Sequence, residues 1–136
     1  MTDIRKQTGA SGERETQAFL EAQGYRVVDV NIRPLEGMAR GEIDMIAWDG
    51  EYLAFIEVKT RRTEIGAQGS PAEAVDLRKR RQLTTLALAY LAKHNLDDVP
   101  CRFDVVAVVH RPNRPLIFTL LRDAFTAEAE SDSVQN

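Results

Sequence analysis

The sequence predicts an α/β protein with a central mixed β-sheet flanked by helices. Five short runs rich in Val, Ile, Phe, Leu and Tyr have the length and composition of β-strands. Two longer stretches of helix formers lie before the first run and between the third and fourth. A helix between two strands predicts a crossover and hence a parallel pair, whereas a two-residue turn makes the second and third strands antiparallel. The predicted order is α-β-β-β-α-β-β, in a single domain because 136 residues bury one core.

The first helix is predicted to begin just after Ser11, whose hydroxyl is suited to an N-cap. The stretch GERETQAFLEAQ that follows combines helix formers with early acids, which the helix dipole favours. Gly24 provides a C-terminal stop, and residues 25–30 have the composition of the first strand. We expect residues 1–11 to form a flexible N-terminus.

The second and third strands are predicted to form a β-hairpin within residues 41–62, GEIDMIAWDGEYLAFIEVKTRR. The pair Asp49-Gly50 is a strong hairpin-turn signal between two apolar runs. The stretches on either side, residues 33–41 and 62–69, contain Pro, Gly or polar residues and are therefore predicted to be loops.

The second helix is predicted to begin at a capping box. Ser70 is suited to the N-cap, Pro71 to the first helical position and Glu73 to the third. Helix formers continue from there, and we expect the helix to end at Asn95.

Two further strands, at residues 102–109 and 116–121, complete the predicted sheet. We expect the single domain to span residues 12–122. The remaining residues, 123–136, are acidic and poor in apolar side chains, which predicts a disordered tail.

Composition excludes several classes of protein. The chain is 43% hydrophobic and 29% charged, as is usual for soluble globular proteins, and no apolar run approaches the roughly 20 residues that span a bilayer. The N-terminal residues lack the apolar core of a secretory signal. Cys101 is the only cysteine, which excludes an internal disulfide and a cysteine-rich zinc site. We therefore expect a cytoplasmic protein with no membrane partner.

Charge is distributed unevenly, although the net charge is only −3. The last fourteen residues contain four acids and no Lys or Arg, so the rest of the chain is slightly basic. Seven of the eighteen basic residues fall within 23 positions: Lys59, Arg61, Arg62, Arg78, Lys79, Arg80 and Arg81. Such blocks are often only solvated faces, but they also form the phosphate-binding patches of nucleic-acid-binding proteins.

Charged side chains interrupt the predicted hairpin at Asp44, Glu57 and Lys59. Side chains alternate along a strand, so Glu57 and Lys59 share a face, and the predicted turn places Asp44 opposite Phe55 and diagonal to Glu57. Two carboxylates this close repel each other and resist desolvation. A Mg²⁺ ion would compensate them, since it accepts carboxylate oxygens and adds water and phosphate ligands. Lys59 would then orient an attacking water.

Simpler interpretations exist for these charged residues. An exposed ion-pair network on a sheet edge contributes little energy and needs no function. The combination of G-E-I-D, a hairpin turn and E-V-K is more specific than such a network requires. On the second helix, Lys79 and Gln82 interrupt an apolar face, which indicates a cavity. A lysine head that reaches solvent explains Lys79 equally well.

These motifs, in their order, resemble a known group of enzymes. Asp44, followed by Glu57-Val58-Lys59 at the end of the next strand, looks like the D…(D/E)-x-K core of the PD-(D/E)xK nuclease superfamily, which has a three-layer α/β/α restriction-endonuclease-like fold. More narrowly, G-E-R-E, N-I-R, G-E-I-D-M-I-A, F-I-E-V-K-T-R, P-A-E-A-V-D and R-F-D-V-V resemble the YraN-like family of small bacterial predicted endonucleases. The resemblance covers residues 12–109.

The resemblance implies a role for each matching residue of the hairpin. Asp44 and Glu57 look like the metal ligands of this superfamily, and the backbone carbonyl of Val58 usually joins them. Lys59 looks like the catalytic lysine.

The resemblance also implies roles for residues on the two helices. Glu13 looks like an additional acid that holds the metal or its water, with a first-turn acid favoured by the helix dipole as the alternative. Gln82 and Lys79 resemble the polar residues that some branches of the superfamily place over the phosphate.

We therefore expect a Mg²⁺- or Mn²⁺-dependent endonuclease that acts on DNA or a structured nucleic acid. Arg61, Arg62 and the Arg78–Arg81 cluster would contact phosphates, and cutting a duplex or a junction would require a symmetric homodimer. The alternative is a catalytically silent module that keeps the fold and binds nucleic acid or a partner. The acids favour the enzyme, because clustered carboxylates repel phosphate.

Overall fold

A computed structural model describes residues 4–33, 41–62 and 75–127 of the chain. Its elements, in chain order, are α1 (Ile4–Ala22), β1 (Arg26–Ile32), β2 (Ile43–Asp49), β3 (Tyr52–Arg61), α2 (Leu77–Lys93), β4 (Cys101–Val109) and β5 (Ile117–Phe125). This is the order that the sequence predicts. No helix in these three stretches is long and apolar enough to cross a membrane.

The five strands form one mixed sheet in the order β1-β2-β3-β4-β5. β3 and β4 are parallel, and the other neighbouring strands are antiparallel. α2 makes the crossover between β3 and β4, which confirms the predicted parallel pair. The parallel ladder runs from Leu53 opposite Cys101 to Arg61 opposite Val109. β3 is therefore paired on both sides at the centre of the sheet.

The two helices lie on opposite faces of this sheet. Side chains alternate between the faces along each strand. Phe55 is buried in a cluster with Leu86 of α2, whereas its neighbour Ile56 is buried in a second cluster with Leu20 of α1. The result is three layers, which confirms the predicted α/β class and is consistent with the restriction-endonuclease-like fold.

The first helix begins earlier than predicted. It starts at Ile4, so Ser11 lies inside the helix and is not its N-cap. Most of the expected flexible N-terminus, residues 1–11, is therefore helical. Gly9 and Gly12 each lower helix propensity by only about 1 kcal/mol, which is too little to end the helix. The predicted stop is close to the observed one, since α1 ends at Ala22 and Gly24 has φ +100°.

The second helix begins later than predicted. Its N-cap is Asp76, which has an extended backbone (φ −73°, ψ 173°) and whose Oδ1 accepts a hydrogen bond from the Lys79 N–H at 2.9 Å. The prediction of one continuous helix from Ser70 is therefore wrong. Residues 63–74, which include Ser70, lie outside the described residues. Asp is as good an N-cap as Ser, and Val75, just before it, is fully buried. Packing of Val75 fixes the position at which the helix starts.

The last strand continues to Phe125, so part of the predicted tail belongs to the sheet. Phe125 is buried and stacks on Phe103 with 4.9 Å between ring centroids. Burial of an aromatic ring outweighs the weak strand preference of Asp123. The rest of the predicted tail, residues 128–136, lies outside the described residues.

The hairpin turns one residue later than predicted. Asp49 pairs with Tyr52, so the two-residue loop is Gly50-Glu51 rather than Asp49-Gly50. Gly50 has φ +63°, and a type II′ turn requires glycine at the first of its two loop positions. Every pairing in the hairpin is shifted as a consequence.

Candidate active site

Asp44 and Glu57 lie opposite each other on β2 and β3. Met45 pairs with Ile56, and extending this register by one residue places Asp44 directly across from Glu57. The predicted register, with Asp44 opposite Phe55, is wrong because the turn lies one residue later. Directly opposite residues have Cβ atoms about 5 Å apart. The two carboxylates are thus closer than the sequence predicted.

The Asp44 carboxylate closes this end of the β2–β3 ladder. Its Oδ2 accepts a hydrogen bond from the Val58 N–H at 2.7 Å. The N–H and carbonyl of one strand residue point to the same side, so the Val58 carbonyl is also directed towards β2. This is the carbonyl that the resemblance implies as a metal ligand.

Burial and a neighbouring negative charge oppose ionisation of Asp44. The pKa of Asp44 is raised to about 7, first by burial and then by the charge of Glu57. The hydrogen bond from the Val58 N–H and the positive charge of Lys79 act in the opposite direction. A cation bound beside this carboxylate would favour its charged form.

Among the described residues, cations lie near only one of the two Glu57 oxygens. The Glu57 side chain is 6% exposed, and its Oε2 lies 3.5 Å from Lys59 Nζ and 3.9 Å from Lys79 Nζ. Its Oε1 is buried without a hydrogen-bond partner among the described residues. A buried acceptor in this state costs about 1–3 kcal/mol or more. A cation at Oε1 would remove that cost.

The available ligands fit a hard divalent cation. Mg²⁺ is typically held by one or two carboxylates and keeps several waters. Asp44, Glu57 and the Val58 carbonyl provide such a set. Within residues 4–33, 41–62 and 75–127, no three His, Cys, Asp or Glu side chains form a metal-binding group. Water or phosphate would therefore have to complete the coordination.

A cavity of about 380 Å³ opens beside the lysines that contact Glu57. It is lined by Lys59, Asp76, Arg78, Lys79 and Gln82. Three of these side chains are cations, and the Asp76 carboxylate accepts the hydrogen bond that caps α2. Cations around an open space next to paired acids suit a phosphate group.

Most of the predicted phosphate-contacting residues lie on β3 or on the first turns of α2. Arg78 and Lys79 line the cavity, and Arg62 and Arg81 are exposed. Arg61 is half-buried at the end of β3. Positive charge thus continues from the cavity along both elements.

Arg80 differs from the other members of this basic cluster. Its Nε donates to the Val75 carbonyl at 2.8 Å, and its guanidinium carbon lies 5.1 Å from the centre of the Phe125 ring. A cation over an aromatic face stabilises packing. The Arg80 side chain therefore packs against the protein and stabilises α2 instead of extending into solvent.

Glu13 lies on α1 and accepts a hydrogen bond from the Asn31 Nδ2 of β1. Val30 pairs with Met45, which places Asn31 across from Asp44. Asn31 has φ +51°, a left-handed conformation that Asn tolerates better than most residues. Asn31 thus links Glu13 to the position beside Asp44. Among the described residues, however, Glu13 does not form a metal-binding group with Asp44 and Glu57.

Comparison with known proteins shows the family. Residues 12–108 match the family described as "Uncharacterised protein family UPF0102". The chain belongs to UPF0102. A UPF0102 protein of Symbiobacterium thermophilum is 44% identical over 124 residues, which cover 91% of this chain and 100% of that protein. UPF0102 proteins of Chlorobaculum parvum (52% identical, covering 74% of each chain) and Moorella thermoacetica (42% identical, covering 92% of this chain and 100% of the relative) are also similar.

This UPF0102 protein has a second polar cluster, on the opposite face of the sheet, that the sequence does not predict. Asp104 is fully buried and accepts hydrogen bonds from the Tyr25 hydroxyl at 2.6 Å, the Arg102 Nε at 3.0 Å and the Asp123 N–H at 2.8 Å. Arg102 also pairs with Asp49. Arg102 and Asp104 lie two residues apart in R-F-D-V-V and so share a strand face, which is the one local signal of this cluster.

The second cluster differs from the Asp44–Glu57 site in how its charges are satisfied. Burial, followed by the hydrogen bond to Asp104, raises the pKa of Tyr25 above its usual range, so its hydroxyl remains a donor. Both oxygens of Asp104 have donors. The cluster therefore stabilises the fold, whereas the site on the opposite face has a Glu57 oxygen without a hydrogen-bond partner among the described residues.

Proposed function

We propose that this UPF0102 protein hydrolyses phosphodiester bonds in DNA or a structured nucleic acid, with Mg²⁺ or Mn²⁺ as cofactor. One observation carries the proposal. The carboxylate of half-buried Asp44 interacts with that of buried Glu57, and one Glu57 oxygen has no hydrogen-bond partner among the described residues. A purely structural cluster satisfies its acids, as the one around Asp104 does. A divalent cation accounts for the difference.

The residues of β2 and β3 would each have a distinct task. Asp44, Glu57 and the Val58 carbonyl would hold the cation, which supplies positive charge to the phosphate and makes a water more acidic. Lys59, with its Nζ 3.5 Å from Glu57, would donate a hydrogen bond to the attacking water. Its charge would also offset the negative charge that develops on the phosphate.

The cavity beside these acids would receive the phosphate group. Arg78 and Lys79 contribute positive charge from α2. The Gln82 carboxamide offers both a donor and an acceptor to the phosphate or the water. Exposed Arg62 and Arg81 would bind neighbouring phosphates without reading sequence. Cleavage of both strands of a duplex would then require two copies of the chain in a symmetric dimer.

The fold supports the same assignment. The element order, the acid at the start of β2 and the E-V-K at the end of β3 resemble the pattern of PD-(D/E)xK nucleases. Membership of that superfamily is therefore part of the proposal. The support comes from the site geometry and this resemblance, since the relatives' names state a family and no activity.

Cleavage assays on duplex, single-stranded, flap and four-way-junction DNA in millimolar Mg²⁺ test the proposal. We expect the wild type to cut at least one substrate, and Asp44→Asn and Lys59→Ala to lose roughly a hundredfold or more in rate. Asp97→Asn changes an exposed acid beyond the end of α2 and should keep the wild-type rate. Equal rates in the wild type and in both site variants would contradict the assigned roles.

A nucleic-acid-binding module without turnover is the second candidate. The observation that favours it is that Lys59 and Lys79 already lie 3.5 and 3.9 Å from Glu57, which partly neutralises the acids without a metal. Such a module would bind the same DNA equally well in EDTA and in Mg²⁺, and would leave it intact in both. Binding that requires the divalent ion, or any cleavage, would exclude it.

A further inference from the structure

Gly41 leaves room for the side chain of Gln82. A Cβ atom at position 41 would lie 2.6 Å from the Gln82 Nε2, 2.7 Å from its Cδ and 2.9 Å from its Oε1. Side-chain carbons do not approach other atoms this closely in folded proteins. The backbone of Gly41 also has φ +96°, which residues other than glycine rarely adopt. Two independent features therefore call for glycine here.

This contact joins the strand that carries an acid to the helix that carries the cations. Gly41 lies three residues before Asp44, directly in front of β2. Gln82 lies one turn after Lys79 on α2 and lines the cavity with Lys59 and Lys79. The carboxamide is thus held between the start of β2 and the cavity.

We propose that Gly41 is a positioning residue that seats the Gln82 carboxamide at the cavity wall, in reach of the phosphate bound there. This inference rests on the proposed function of the site. The atoms that a Cβ would meet belong to the flexible end of Gln82. A methyl group at position 41 therefore displaces the carboxamide and leaves the sheet in place. The role of Gly41 is exerted through Gln82, since Gly41 has no side chain with which to touch a substrate.

Gly41→Ala tests this inference, with Gly24→Ala as its matched control. Gly24 has almost the same φ, +100°, but a Cβ there would meet nothing within 4 Å. The control therefore carries the backbone strain without displacing a side chain. We expect both variants to lose similar amounts of thermal stability. Only Gly41→Ala should lower the cleavage rate kcat, on the order of tenfold, at unchanged Mn²⁺ affinity.

A double-mutant cycle with Gln82→Ala separates positioning from a general structural effect. We expect Gly41→Ala and Gln82→Ala to lower kcat by the same factor, and the double variant to lose no more than either. Independent, multiplying losses would overturn the inference. So would a kcat loss in Gly41→Ala equal to that in Gly24→Ala, or a fall in Mn²⁺ affinity, which would place the effect on Asp44.

Binding of a labelled DNA duplex in Ca²⁺ distinguishes failure of this inference from failure of the proposed function. If the wild type binds DNA in Ca²⁺ but cuts no substrate in Mg²⁺ or Mn²⁺, the nuclease proposal fails, and the same cycle is then measured on the dissociation constant. Non-additive losses for Gly41→Ala and Gln82→Ala would still support the positioning role, and additive ones would overturn it. A wild type that neither cuts nor binds overturns both proposals.

Discussion

Asp44 is stabilised by one neighbour and opposed by another. The Val58 N–H donates to its carboxylate at 2.7 Å, while Glu57 opposite repels it. Burial adds to the repulsion, because both acids lie where water cannot solvate them fully. This balance makes stability depend on pH, whether or not the protein is an enzyme.

Without metal, the native protein should lose stability as the pH rises from about 4 to about 7. The pKa of Asp44 moves from 3.8 to about 7 on folding, so between these values the native state keeps a proton that the unfolded chain has released. The contribution of Asp44 to the free energy of unfolding therefore falls with pH in this window and is level above it. Asp44→Asn removes this dependence and keeps an acceptor for the Val58 N–H.

Urea unfolding in EDTA at several pH values measures this effect. At pH 8 we expect Asp44→Asn to be more stable than the wild type by on the order of 1–4 kcal/mol. At pH 4 the two proteins should be nearly equal. Asp97→Asn, at an exposed site, should follow the wild type throughout. A variant that is less stable than the wild type at pH 8 would show that Asp44 is not destabilised by burial.

The sequence predicts some residues of the site and misses others for a physical reason. Glu57 and Lys59 share a strand face because side-chain alternation is a local property. The contacts of Arg80 with Phe125 and of Gly41 with Gln82 join positions about 40 residues apart in the chain, and only packing determines them.

The central strand and the second helix together position the candidate site. β3 is paired with β2 up to Ile56 and with β4 as far as Arg61, so the acid and the lysine that follow Ile56 lie on a supported strand. α2 crosses from β3 to β4 and brings Lys79 and Gln82 to the same end of the sheet. The opposite face is stabilised by the cluster around Asp104, which joins β4 to β5 and to Tyr25 just after α1.

Tyr25→Phe should destabilise the fold by about 1–3 kcal/mol. The change removes the hydroxyl that donates to the buried Asp104 at 2.6 Å, and a buried carboxylate that loses a donor costs about this much. Tyr52→Phe is the matched control, because Tyr52 is 46% exposed and should change stability by less than about 0.5 kcal/mol. Urea unfolding compares the two, and equal effects would mean that the cluster around Asp104 does not stabilise the fold.

Element order and element boundaries differ in how well the sequence predicts them. The order and the parallel pair follow from periodicity and from the helix between β3 and β4. The start of α2 does not, because Ser70 and Asp76 are both good N-caps and burial of Val75 fixes the choice. The predicted hairpin register is wrong because Gly50 is compatible with either position of a two-residue loop. The sequence predicts it in the second position, whereas it lies in the first, which shifts the register.

Across the whole molecule, the two faces of the sheet differ in how their buried acids are satisfied. On the α1 face, the buried acid Asp104 has donors on both oxygens. On the α2 face lie Asp44 and Glu57, one oxygen without a hydrogen-bond partner among the described residues, and a cavity lined by cations. A net charge of −3 conceals this local arrangement. The cluster on one face thus stabilises the fold, and the other face has the groups for chemistry on a phosphate.

Calorimetric titration of Mn²⁺ into the wild type and Glu57→Gln tests the central claim most directly. At pH 8, above the pKa of about 7 of Asp44, the Asp44 carboxylate of the wild type is charged and available as a ligand. We predict saturable binding of one class of site in the wild type and in Asp97→Asn, and loss of that binding in Glu57→Gln. The same isotherm in the wild type and Glu57→Gln, or no binding by the wild type, would contradict the account.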